Sequence, residues 1–132
     1  VRFSVDLRNI DDPALDAMDA QLRAVVAEVE AIRGIAAELT QVSYYPPVPF
    51  DEKCVSAVRS AAQRLGYSHM PAVSGAGHDA VYMAKLAPAG MIFIPCKDGI
   101  SHNEIEDAKP EHITAGCNVL LHAMLERAGV AS

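Results

Sequence analysis

Gly90-Met91-Ile92-Phe93-Ile94-Pro95 is the stretch on which the fold turns. Met91 to Ile94 has no polar residue to mark a solvent side and is too short for a helix, so it reads as a strand buried on both faces, as in a parallel sheet. Working outward, a polar loop follows over 96–109. A last helix then opens at Pro110 and closes at Gly129, with Ile113, Cys117, Leu120, Leu121 and Met124 expected on its inner face. On the other side, Asp51 caps a helix lined by Val55, Val58, Ala62 and Leu65 and stopped by Gly66, and a short helix runs from His78 to Leu86 after the turn-rich residues 70–77. Pro46-Pro47-Val48-Pro49 is stiff and extended and marks a boundary. Before it, Val1, Phe3, Val5 and Leu7 alternate with polar residues as in a strand. Asp12-Pro13 opens a helix striped by Leu15, Met18, Leu22, Val25, Val26, Val29 and Ile32, Gly34 ends it, and 36–44 is extended. The expected class is α/β: a strand-helix-strand unit over 1–45, a proline-rich linker over 46–50 and a second α/β part over 51–132.

Composition narrows what such a chain can do. Its 132 residues are 51% hydrophobic and carry a formal charge of −6, with no cluster of Lys and Arg to neutralise phosphates, which excludes a nucleic-acid-binding surface. The longest apolar run is far below the roughly 20 residues of a membrane helix, and the acidic start, with Asp6, Asp11, Asp12, Asp16 and Asp19, is no signal peptide. A cytoplasmic protein without membrane partners is expected. Cys54, Cys96 and Cys117 are odd in number and widely spaced, as packed reduced thiols are. The chain opens directly inside a strand pattern, as a piece of a longer protein would.

Chemistry-bearing residues lie in the loops. His102 follows the 91–95 run in a loop with Asp98, Ser101, Asn103 and Glu104, where ligand sites of open α/β sheets form. His78 ends the small-residue loop Ser74-Gly75-Ala76-Gly77, which a ligand can approach closely and whose helix start favours an anion. Read as structure alone, the same loop is a tight turn. Arg8, at the end of the first alternating run, suits bidentate capture of a carboxylate or a plain surface ion pair. His69, His112 and His122 are read as structural.

Val73-Ser74-Gly75-Ala76-Gly77-His78-Asp79-Ala80, then Gly90 to Pro95, then Gly99-Ile100-Ser101-His102-Asn103-Glu104 closely resemble, in that order, the zinc-dependent amidase/hydantoinase/carbamoylase family. That family includes N-carbamoyl-L-amino-acid hydrolases, β-ureidopropionases and allantoate amidohydrolases. Val-Asp-Leu-Arg at 5–8 and Pro46 to Phe50 fit as well. The resemblance implies the last part of a lid and dimerisation domain over 1–45 and the C-terminal part of a di-metal, aminoacylase-like catalytic domain over 51–132. It implies a hydrolase of linear amide C–N bonds in ureido acids, a homo-oligomer with two divalent metal ions, zinc or manganese. By the same resemblance His102 is a metal ligand, Arg8 and Gly77 bind substrate, and His78 polarises the scissile group. The family's catalytic Glu and its other ligands would precede Val1, so the missing N-terminal part is an expected partner. The chain alone is then expected to be inactive and to hold no metal tightly. The competing expectation is a non-catalytic dimerisation or binding module derived from the same fold.

Overall fold

A computed structural model describes residues 1–129. Two compact units are distinguished: Val1–Val48 with Val73–Ala76, and Pro49–Ala72 with the chain from Gly77 onward.

The first unit is built on α1 (Asp12–Arg33). Its N-cap is Asp11, one residue earlier than the sequence suggests: the Asp11 backbone is extended and its carboxylate accepts from the Ala14 N–H at 3.1 Å. Pro13 then sits in the first turn, where its missing N–H is no loss. Gly34, at φ 64°, turns the chain out of the helix while its N–H reaches the Glu30 carbonyl at 2.9 Å. Leu15, Met18, Leu22 and Val26 are the half-buried row, whereas Val25, Val29 and Ile32 are exposed. Side chains tie 36–44 back to α1: the Tyr44 hydroxyl donates to the Asp12 carboxylate, and the Glu30 carboxylate accepts from the Ala37 N–H at 2.7 Å. The bond to Asp12 pushes the Tyr44 phenol above its ordinary range.

In the second unit α2 (Glu52–Arg64) packs on α4 (Pro110–Ala128), with the six-residue α3 (Asp79–Ala84) between them in sequence. Asp51 caps α2 through the Cys54 N–H at 2.9 Å. The other end closes as a Schellman motif: Gly66 stands at φ 72°, its N–H donates to the Gln63 carbonyl, and the Tyr67 N–H donates to the Ala62 carbonyl. The core is small-residue packing, with Ala57, Ala61, Ala62, Val119 and Ala123 buried and Val58, Leu65, Tyr67 and Ile92 against them. Small side chains let the two helices approach closely, and Asn118 adds a bond to the Tyr67 hydroxyl at 3.1 Å. The inner face of α4 is therefore Val119 and Ala123. Ile113, Leu120, Leu121 and Met124, expected inside, are exposed, as is Cys117.

The α/β expectation is corrected: among the described residues there is no strand, and the fold is helical with extended connections. Residues 1–8, 36–44 and 91–95 are not helical, but none pairs its backbone in a ladder. Alternation dictates which side chains share a face, whereas a strand exists only where a neighbour takes its N–H and C=O groups. The 91–95 run is also not buried on both faces. Ile92 and Ile94 turn toward the helices, while Phe93 is 53% exposed. No described helix is long and apolar enough to cross a membrane.

Candidate functional site

Arg8 lies in the first unit with its guanidinium already engaged. Nε and Nη2 donate to the same Asp6 carboxylate oxygen at 2.9 and 2.5 Å, and Nη1 donates to the Gly75 carbonyl at 2.5 Å. Asp6 and Arg8 share the polar side of an alternating run, so residues two apart meet. The pairing holds the Asp6 carboxyl below the usual carboxylate range and raises Arg8. An arginine carries five N–H groups; these bonds leave one on each terminal nitrogen for a second carboxylate. The Gly75 contact fixes the small-residue loop beside Arg8, and the Ser74 hydroxyl accepts from the Ala76 N–H inside that loop.

The other sequence-derived residues lie in the second unit. Gly77 is exposed, has no positive φ, and a Cβ built there meets nothing within 4 Å. Nothing in the chain's own packing demands glycine at that position. His78 is half-buried at the start of α3, its extended backbone accepting from the Val81 N–H, and its ring stands edge-on to Phe93 at 5.5 Å between centroids. At six residues α3 is too short for its first turn to make an anion site.

His102 is exposed and sits at φ 56°, in the left-handed region that a non-glycine residue rarely adopts. Its loop is ordered from within. Lys97 N–H donates to the Asp107 carbonyl at 2.7 Å, Glu106 N–H to the Asn103 carbonyl at 2.9 Å, and His102 N–H to the Glu106 carboxylate at 2.7 Å. Asp6 and Glu106 were not singled out as site residues by the sequence. The signals for them are the two-residue spacing to Arg8 and the His-x-x-x-Glu spacing from His102. Of the remaining histidines, His69 is exposed. His112 and His122 are half-buried rather than solvated, and His112 Nδ1 is enclosed without a hydrogen-bond partner.

A metal centre needs several convergent donors, about four for zinc. Among the described residues no three His, Cys, Asp or Glu side chains form such a group, so His102 stands as one donor and these residues do not by themselves fit a metal site.

Compared with known families, residues 5–126 match the profile of Peptidase family M20/M25/M40. The chain belongs to Peptidase family M20/M25/M40. Within the M20/M25/M40 family its relatives include amidohydrolases, in agreement with the resemblance drawn from residues 73–80, 90–95 and 99–104. It is 48% identical over 130 residues to an N-carbamoyl-L-amino-acid amidohydrolase of Rhizobium meliloti, covering 98% of this chain and 31% of that protein. With an allantoate amidohydrolase of Bacillus subtilis it shares 32% identity over 120 residues, 91% of this chain and 27% of that protein. A crystal structure of a hydantoinase/carbamoylase family amidase from Burkholderia multivorans superimposes with a TM-score of 0.90 at 58% identity, over 94% of this chain and 30% of that one. The chain thus spans about a third of the length of the M20/M25/M40 relatives it matches.

Proposed function

We propose that this chain is part of a hydrolase that cleaves the linear amide C–N bond of an N-carbamoyl amino acid or a related ureido acid. The observation that carries the reading is the 48% identity, across nearly the whole chain, with an N-carbamoyl-L-amino-acid amidohydrolase. In the proposed reaction the substrate carboxylate takes the two N–H groups of Arg8 that Asp6 and Gly75 leave open, a match of planar fork to planar carboxylate. Gly77 lets the substrate approach the protein backbone closely, which accounts for a glycine that local packing does not require. His78 donates a hydrogen bond to the ureido carbonyl oxygen, where charge develops as water adds. One water is consumed, and the amino acid, carbon dioxide and ammonia are released.

Residues 1–45 are assigned to a lid and dimerisation domain and 51–132 to a catalytic domain, joined through 46–50; the change of compact unit at Val48 supports this division. The reaction is further proposed to depend on divalent metal ions, with His102 the donor from this chain and the chain alone inactive. A homo-oligomer belongs to the same reading. It is checked by sedimentation of the full-length protein, where a monomer at tens of micromolar would remove that element of the proposal.

The test of the whole reading is hydrolysis by a full-length protein carrying this sequence, read as ammonia release from N-carbamoyl-L-amino acids, β-ureidopropionate and allantoate and as free amino acid released from dipeptides. Turnover of one ureido class and none of dipeptides is expected. Dipeptide hydrolysis with no ureido turnover would overturn the proposal.

A further inference from the structure

Glu106 makes two bonds that no secondary structure requires. One carboxylate oxygen accepts from the His102 backbone N–H at 2.7 Å, and the other accepts from the Cys96 thiol at 3.8 Å. Cys96 is at the start of the loop and His102 near its middle, so a single side chain holds two separate points of the loop. Glu106 is itself held: its N–H donates to the Asn103 carbonyl at 2.9 Å, the Ile105 N–H donates to the Asn103 side-chain oxygen at 3.1 Å, and the neighbouring Asp107 carbonyl takes the Lys97 N–H at 2.7 Å. The residue held by that carboxylate, His102, has its backbone at φ 56°, one of two left-handed non-glycine residues in the loop, with Asp98 at φ 55°. A left-handed histidine persists only where its surroundings over-determine it. The short, charge-assisted bond from its own N–H is the contact that does so.

We propose that Glu106 is a positioning residue for His102: its carboxylate locks the His102 backbone in the left-handed conformation and so fixes the direction in which the exposed imidazole is presented. The inference rests on the reading of His102 as a site residue, and it adds a residue to that site. Losing the carboxylate lets the His102 backbone return to negative φ, which swings the imidazole away without altering its chemistry. A glutamine at 106 keeps a carbonyl oxygen that can accept the same N–H, whereas an alanine keeps nothing.

The experiment is amide nuclear magnetic resonance on a deuterated, uniformly 15N-labelled full-length protein carrying this sequence, reading the chemical shift and hydrogen exchange of the His102 N–H. Glu106→Ala is expected to shift that signal and to speed its exchange by about tenfold or more, while signals from α2 and α4 stay in place. Glu106→Gln should retain most of the protection, and Glu104→Ala, which removes a carboxylate from the same loop, should leave the signal unchanged. If Glu106→Ala disturbs α2 and α4, Glu106→Asp replaces it, keeping the charge but shortening the reach by one methylene, with the same loss expected at His102. Three results would overturn the proposal: a His102 signal unmoved by either shortened variant, a Glu106→Gln variant as unprotected as the alanine, or an equal effect from Glu104→Ala. The functional reading fails separately, if His102→Ala in the full-length protein leaves ureido hydrolysis intact while the amide result stands.

Discussion

Arg8 is a cation with a resident partner, and on the proposed reading that decides how a substrate carboxylate can use it. Asp6 takes the side of the guanidinium formed by Nε and Nη2, so the group arrives oriented, with its remaining donors fixed in direction. A lysine at position 8 keeps the charge and loses the fork. In a full-length protein carrying this sequence, Arg8→Lys is expected to raise KM for a ureido acid on the order of tenfold with a smaller change in kcat, because it removes binding present in ground state and transition state alike. Gly77→Ala should also raise KM while leaving the melting temperature unchanged, since the added methyl meets no atom of the chain within 4 Å. Steady-state kinetics together with a melting curve check both variants. Arg8, Gly77, His78 and His102 were each legible as candidates from loop chemistry and order along the chain. Asp6 and Glu106 were not, because a carboxylate that orients another residue looks in sequence like any solvated acid. Only the distances separate them from Asp98 or Glu104.

At the scale of elements, helix ends were legible and faces and strands were not. Proline and aspartate at helix starts and glycine at their ends act locally, so α1, α2 and α4 begin and end within a residue or two of where the sequence puts them. Which row of α4 is buried depends on its partner, and the partner, α2, offers alanines; the row that fits is Val119 and Ala123, not the bulkier one. Strands failed for the same reason, since pairing is a property of two segments and the alternating pattern of one cannot supply it. Gly116 has the least room for a side chain of the described glycines: a Cβ there would lie 2.7 Å from the Ile94 Cγ2 methyl. Gly116→Ala gains roughly 1 kcal/mol of helix propensity, while overpacking against a branched side chain costs about 1–3 kcal/mol. Chemical denaturation should therefore find Gly116→Ala destabilised alone, and stabilising when added to Ile94→Ala, a reversal that only direct contact produces. Asp51 provides a pH-dependent case. Its carboxyl is held below the ordinary range, first by the Cys54 N–H, so its contribution is complete above the unfolded carboxylate pKa, about 3.9, and is lost as pH falls through the lower folded value. Asp51→Ala should lower the melting temperature by about 5 °C at pH 7, and the difference from wild type should close at the acid end of that window in thermal scans.

On the scale of the whole molecule, under the proposed function the described chain supplies recognition groups rather than a complete catalytic set. It offers a fork for a carboxylate, a histidine braced by Phe93, and a second histidine on a self-ordered loop, while no three metal-ligating side chains cluster among the described residues. That inventory suits a part of an amidohydrolase in which this portion orients a small acid. On the proposed reading, the substrate carboxylate, not the ureido group alone, is the feature these residues read. The most direct measurement is therefore ammonia release by a full-length protein carrying this sequence, comparing an N-carbamoyl-L-amino acid with the N-alkylurea that has the same side chain but no carboxylate. The account predicts turnover of the acid, a kcat/KM for the urea lower by about a hundredfold or more, and a gap between them that narrows in Arg8→Lys. Equal turnover of both compounds, or a gap unaffected by Arg8→Lys, would contradict it.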